Sequence, residues 1–355
     1  MDPRATGRDR HNPASRIPSQ RNLRLVHVSS EASQGRFKDY PLGSGVQSEL
    51  TQSQMHPVRA LLIYITSVFV LGALIAPWVY WLVQSLADQF PSLRGLADSP
   101  FHRYVNRSLL IVAVIGLWPF LRSLGVNSIA TIGLAKPDPA DRRRLARGFL
   151  LGLLTMLAVA VVAMLAGSRK WTPDLTQQPF LEAGGILLSA SSVSLLEELL
   201  FRGTLFGSLR RQHDWRLALV ISSAVYAVLH FFQRVKSPAW ITWTSGLEQL
   251  GEMMGGFVHL GMLVPGFLSL TLAGMALGLA YQRTGNLYFS IGLHAGWIFW
   301  LKTLNLWTDP GPAGKGLLKV SKNLYDGWLG FGVSVAAFVA VCFLTERRPK
   351  SPDAS

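Results

Sequence analysis

The residues in this sequence with the types and spacing for chemistry are two adjacent glutamates, an arginine four positions on, and two histidines, all in apolar surroundings. Glu197 and Glu198 stand in Ser-Leu-Leu-Glu-Glu-Leu-Leu-Phe-Arg-Gly, which places Arg202 one helical turn after Glu198. Further on come Tyr226-Ala-Val-Leu-His230 and Gly-Leu-His294-Ala-Gly-Trp-Ile298. Glu198 and Arg202 lie about 40° apart on an ideal helix and can neutralise each other, whereas Glu197 is turned about 100° from Glu198 and faces another element. A carboxylate beside an imidazole in a low-dielectric pocket is a general-base pair for water, because burial makes the carboxylate a stronger base. A second histidine can offer an N–H to a developing oxyanion, and such a set would hydrolyse an amide. The same Glu197, His230 and His294 are also a zinc-type ligand set, so zinc and no metal both stand open.

These residues need helices long enough to place them at depth. Apolar segments fall at 60–86, 105–121, 148–167, 182–209, 217–233, 257–281, 287–301 and 325–344. Each is near the ~20 residues that a helix needs to cross a bilayer, so the chain reads as an all-α polytopic bundle of about eight spans. Glu197 sits roughly 18 Å from the end of the fourth span, and His230 roughly 21 Å from the start of the fifth, which brings them to comparable depth on antiparallel neighbours. The second and seventh segments are short and the fourth is long, which leaves room for a re-entrant piece.

Composition agrees. The chain carries 34 Lys and Arg against 20 Asp and Glu, a net charge of +14, yet only 15% of residues are charged, and mean hydropathy is +0.29. A nucleic-acid binder would gather its basic residues on one folded face, but here they fall between apolar runs, so nucleic acid is not an expected partner. About two-thirds of them lie on one side of the expected spans, which puts both termini in the cytoplasm and predicts an integral, multi-pass protein of a bacterial inner membrane. Arg142, Arg143, Arg144 and Arg147 are read as a topology signal in a short loop. Residues 1–57 are expected to be a disordered basic tail, 58–345 the membrane domain and 346–355 a short cytoplasmic tail, with no cleaved signal peptide. The single cysteine, Cys342, excludes an internal disulfide and a cysteine-based zinc cluster.

Blander assignments suit other residues. Tyr226 reads as packing or a hydrogen-bond prop, and His259 as a satisfied polar residue near an interface. Gly203 with Gly207, and Gly274 with Gly278, read as close helix contacts. Tyr325-Asp326 is half of an aspartyl-protease pattern whose other half is missing. There is no His-Glu-x-x-His and no Gly-x-Ser-Gly.

Glu197-Glu198-x-x-x-Arg202, then Tyr226-x-x-x-His230, then Arg283-Thr284-Gly285-Asn286 and His294, resembles the CAAX protease and bacteriocin-processing (CPBP, or ABI) family of intramembrane proteases, over about residues 180–300. The resemblance implies a helical fold like that of type II CAAX prenyl endopeptidases. It also implies that Glu197 and His230 activate water, that Glu198 and Arg202 support the site, and that His294 helps hold the oxyanion. The implied substrate is a peptide or protein, lipidated or ending in a sorting tail, met in the lipid bilayer. Two positions depart from the family pattern. Tyr226 stands where Phe is usual, and Ile298 stands where a polar residue usually follows the histidine by four. Trp297, Asn305 or a backbone N–H are the stand-ins at hand for that lost donor. The leading expectation is thus an intramembrane endopeptidase, cutting near the cytoplasmic half of the membrane by a glutamate or zinc mechanism. A non-catalytic binding or immunity-type protein of the same fold comes second and a proton-coupled transporter third.

Overall fold

The computed structural model describes residues 56–172, 179–232, 235–258, 260–311 and 327–345, all of which fall in one compact unit, Gln54–Ser355. The expected terminal tails, His259 and Tyr325-Asp326 lie outside the described residues. The fold is an all-α bundle: α1 (Pro57–Gln89), α2 (Phe101–Ser123), α3 (Pro139–Leu165), α4 (Pro179–Glu198), α5 (Trp215–Leu229), α6 (Ser245–Met253), α7 (Leu260–Thr284), α8 (Tyr288–Trp307) and α9 (Trp328–Leu344). Each of the eight apolar segments overlaps one of the helices α1–α5 and α7–α9. The short α6, and a two-stranded antiparallel ribbon of β1 (Arg169–Trp171) and β2 (Thr308–Pro310), were not foreseen, because neither carries a long apolar run.

Two expectations about local structure are corrected. First, Arg142, Arg143, Arg144 and Arg147 are not in a loop but in the opening turns of α3. Asp138 starts this helix early by accepting from the Asp141 backbone N–H at 2.6 Å, while the Asp141 carboxylate accepts from the Asp138 N–H at 3.4 Å. Such a reciprocal cap satisfies donors that a helix start otherwise leaves bare. Second, the fourth span is not one regular helix. After Glu198 the chain winds as a π-helix over Leu199–Phe206 before resuming α-form at Gly207–Gln212.

Five stretches are long and apolar enough to cross a membrane: Pro57–Gln89, Phe101–Ser123, Pro139–Leu165, Glu182–Gln212 and Leu263–Thr284; α5 and α9 are shorter apolar helices. Apolar side chains face outward, with Ile115 70%, Leu165 83%, Leu188 71% and Phe343 83% exposed, as a lipid-facing surface requires. α8 is not among the five. It carries Ser290, His294, Lys302 and Asn305, and it tolerates them because it packs along α3, α4 and α7 instead of facing lipid.

The contacts define two ends. At one end, Leu287 donates its N–H to the Gly133 carbonyl at 2.9 Å, and the Arg283 side chain bonds the Cys342 carbonyl. The β1–β2 ribbon closes the other end.

Candidate active site

α8 is fixed before it contributes any chemistry. The turn ahead of it needs Gly285, whose φ of 72° is a left-handed conformation that few other residues adopt. Asn286 then donates to the Asp141 carboxylate at 2.8 Å, tying the start of α8 to the cap of α3. Along the seam, Gly148 and Gly152 of α3 meet Gly292 and Gly296 of α8 backbone to backbone. A Cβ on Gly292 would overlap the Leu145 carbonyl oxygen, and one on Gly296 would come within 2.5 Å of the Phe149 oxygen. This quartet was missed, although both Gly-x-x-x-Gly spacings are visible in the sequence. The glycine pairs expected to make close contacts divide. Gly274 and Gly278 do press on Ser223 and Leu219 of α5, and Gly203 on Ile132, but Gly207 makes only ordinary contacts.

His294 lies between the two α8 glycines and turns away from the seam. Its Nδ1 is 2.9 Å from Oε1 of Glu198, and the same oxygen is 3.0 Å from Nη1 of Arg202. Glu198 is fully buried and Arg202 is 2% exposed. The Arg202 guanidinium also lies 4.3 Å from the centre of the Tyr226 ring, a cation–π contact that partly offsets lost hydration. The π-turn is what presents Arg202 here. Thr204 Oγ1 donates to the carbonyl five residues back, on Leu199, at 2.7 Å, which follows the wider winding. Isolated π-turns of this kind recur at functional sites.

Glu197 points the other way, as its angular offset predicts. Its Oε2 is 3.8 Å from Nε2 of His230 and 3.7 Å from Nε2 of His294, and it has no hydrogen-bond partner among the described residues. Hydrogen-bond partners fix both rings. His230 Nδ1 is 2.9 Å from the Tyr226 carbonyl, which can only accept, so the proton sits on Nδ1. His294 Nδ1 faces a carboxylate and is likewise the donor. In their neutral forms both histidines therefore turn an Nε2 lone pair toward Glu197. His294 could donate to an oxyanion only as an imidazolium.

All five residues singled out from the sequence are thus brought together, in two layers: Glu198, Arg202 and Nδ1 of His294 behind, Glu197 and the two Nε2 atoms in front. The front layer lines a cavity of about 260 Å³. Val159 of α3, Ile298 and Leu301 of α8, and Val333 of α9 line it, and Lys302 stands farther along α8. Among the described residues, no group of three or more His, Cys, Asp or Glu is disposed to hold a metal ion. Glu197, His230 and His294 are therefore not a ready-made chelate.

Two of the stand-ins for Ile298 are ruled out, Trp297 by its own bond and Asn305 by its position. Trp297 donates its indole N–H to Thr155 Oγ1 at 2.9 Å, away from Glu197. Asn305 accepts from Arg169 at 2.7 Å beside the ribbon, several turns beyond the site. Thr155 and Arg169 could not be seen as their partners in the sequence, because both contacts join residues more than a hundred positions apart.

Fold and site define a polytopic helical membrane protein with a carboxylate–imidazole cluster at the end of an internal cavity. Residues 179–300, roughly a third of the chain running from α4 into α8, match the family model described as type II CAAX prenyl endopeptidase Rce1-like, a match that supports a CAAX protease assignment for this segment. All five site residues fall inside the matched segment. No curated protein and no solved structure matches the chain.

Proposed function

We propose that the protein is an intramembrane endopeptidase in which Glu197 is the general base, seconded by His230. The observation that carries this reading is the convergence of a Glu197 oxygen without a hydrogen-bond partner among the described residues and two imidazole lone pairs on one largely apolar cavity. A water donating one proton to Glu197 and the other to His230 Nε2 has its lone pair aimed into the cavity, where a peptide carbonyl would lie. Glu197 takes the proton as the water oxygen bonds to the carbonyl carbon. When the C–N bond breaks, the protonated Glu197 returns that proton to the departing amine. Glu198 and Arg202 hold His294 in place through Nδ1 and leave Glu197 as the unpaired base. If Glu197 alone activates the water, a strong chelator is expected to leave activity intact; loss restored by added zinc would select the metal mechanism, with Glu197, His230 and His294 as the ligands.

The lining of the cavity runs from the cluster toward the ribbon end, away from the end that carries Arg142 to Arg147. With both termini cytoplasmic, as the charge bias favours, the cavity serves the non-cytoplasmic half of the membrane rather than the cytoplasmic half. Its apolar walls suit a hydrophobic or lipidated peptide segment, in line with the match to the type II CAAX prenyl endopeptidase family.

The test is cleavage of a peptide library, with prenylated and unprenylated members, by the protein in proteoliposomes. Glu197→Ala and His230→Ala are each expected to remove cleavage, and unchanged cleavage in both would overturn the proposal. A second reading, a non-catalytic binding protein of the same fold, is favoured by the hydrocarbon side chain of Ile298 at the cavity wall. Full biological effect in Glu197→Ala would select it.

A further inference from the structure

We propose that residues 235–253, between α5 and α7, lie in the headgroup boundary of the bilayer at the ribbon end, with Trp240 and Trp243 as anchors and the lipid interface as the partner of this surface. The inference stands whether or not the cluster is a peptidase, and it fixes how deep that cluster lies.

α1 supplies the ruler. Tyr64 stacks on Phe120 at 4.6 Å, near the last turn of α2, so α1 starts where α2 ends, on the side of Gly133, and its later turns lead to the ribbon end. Trp78 lies about 30 Å from Pro57 along the helix, which is the thickness of a hydrocarbon core. Beyond it the helix turns polar, with Gln84, Asp88 and Gln89 in its last two turns. Trp78 is 63% exposed and meets the Trp81 ring edge-on at 5.2 Å. Tryptophans gather at this boundary because the ring is apolar while its N–H seeks water.

α2 gives the same level independently. Leu109 lies against Gly72 of α1, and counting six residues from each brings Arg103 level with Trp78. Arg103 and Arg107 are exposed, whereas the outward side chains deeper along the helix are Leu110, Ile111, Val114 and Ile115. Charge followed by an apolar face is what the edge of a hydrocarbon layer requires.

The segment between α5 and α7 is packed at that level. The Ser237 hydroxyl accepts from the His102 backbone N–H at 3.3 Å, and Ile241 packs against the cluster of Ala76, Phe101, Tyr104 and Val105. α6 then starts lower, with Gly246 on the Ala73 carbonyl, five residues or roughly 7 Å below Trp78. Irregular backbone this close to hydrocarbon needs its polar groups satisfied. Thr242 N–H donates to Ser245 Oγ at 2.9 Å, Ser245 N–H to the Thr242 carbonyl at 3.2 Å, and Gln249 to the Lys236 carbonyl at 3.1 Å. On this braced turn Trp240 and Trp243 are 85% and 64% exposed. Two large rings at the level of Trp78, continuous with an outward apolar face, have the bilayer boundary as their surroundings.

The same level sets the depth of the chemistry. Phe232, two residues after His230, stacks on Phe69 at 4.6 Å, and Phe69 is nine residues, roughly 13 Å, below Trp78 along α1. His230 and Glu197 therefore lie near the middle of the bilayer.

The experiment reads tryptophan emission from the full-length protein in phosphatidylcholine vesicles with acyl chains brominated either near the headgroup or near the terminal methyl, and with iodide as the quencher in water. The anchors contribute the parent emission minus that of Trp240→Phe/Trp243→Phe. Depth at the cluster is read from the emission added by Val228→Trp, at a 42% exposed position two residues before His230, and by Leu195→Trp, at a 38% exposed position two residues before Glu197. Thermal unfolding is the control on folding for each variant. The anchor emission is expected to lose most of its intensity to bromine near the headgroup and little to iodide, and the added emission to be lost mainly to bromine near the methyl. Anchor emission lost mainly to iodide overturns the proposal, because the segment then stands in water. Loss mainly to bromine near the methyl overturns it as well, by placing the segment inside the hydrocarbon. So does protection from all three quenchers, because another protein surface then covers the rings. Added emission lost mainly to bromine near the headgroup overturns the depth assigned to the cluster.

Discussion

The two sides of α8 are built on opposite principles. Toward α3 the helix is stripped of side chains at Gly292 and Gly296, and backbone lies on backbone. Toward α4 and α5 it carries His294, Ile298 and Lys302 into a cavity of about 260 Å³. The first face has no room for a methyl group, and the second keeps space beside charged residues. In lipid, where hydrophobic burial does not drive helices together, close small-residue contacts are what lock two helices in register. The glycine face therefore makes the histidine face possible. His294 can hold its distance from Glu197 and Glu198 because the rest of its helix cannot slide.

Breaking the histidine face should have the largest effect. Glu198→Ala leaves the Arg202 cation and the His294 N–H buried without their shared acceptor, and removing one partner of a buried pair typically costs about 3–5 kcal/mol. Thermal unfolding in detergent is expected to show that loss together with loss of cleavage; parental stability would mean that Glu198 contributes no structural pairing. Breaking the glycine face comes next. Gly292→Ala puts a methyl group into the Leu145 carbonyl, and overpacking of this kind costs about 1–3 kcal/mol. Activity should fall with stability, whereas Gly184→Ala, at an exposed helical glycine with nothing within 4 Å, should lower neither. The smallest effect belongs to Thr155→Val, which leaves the Trp297 N–H without its acceptor on the α3 side. About 1 kcal/mol of stability should be lost with kcat unchanged; a large drop in kcat would show that the seam reaches the chemistry directly.

Much of the site was legible because the expense of charge in a bilayer leaves few such residues to explain. Glu197, Glu198, Arg202, His230 and His294 stand out as ionisable groups inside apolar segments. The four-residue spacing foretold the Glu198–Arg202 pair, and the offset of Glu197 foretold that it would face other helices. What the spacing did not foretell was the third member of the pair, His294, since a bond across ninety-six positions leaves no local trace. The π-turn was equally hidden. A one-residue widening changes no hydrophobic period enough to be seen, yet it sets where Arg202 lies over Tyr226. The arginines at 142–147 read as a loop because they lie outside the apolar run, whereas the Asp138–Asp141 cap starts α3 ahead of them.

By itself, then, the sequence determined a polytopic helical membrane protein, the five ionisable residues that the fold gathers and the division of the two glutamates. These follow from hydrophobic run length, the cost of buried charge and the angular repeat of a helix, all of which act within a single element. Only the tertiary structure decided which nitrogen of each histidine carries its proton, which stand-ins for Ile298 are already engaged, and that Tyr226 shares the cavity with Glu197. Those depend on partners brought in from distant helices, and no local regularity of the chain encodes them.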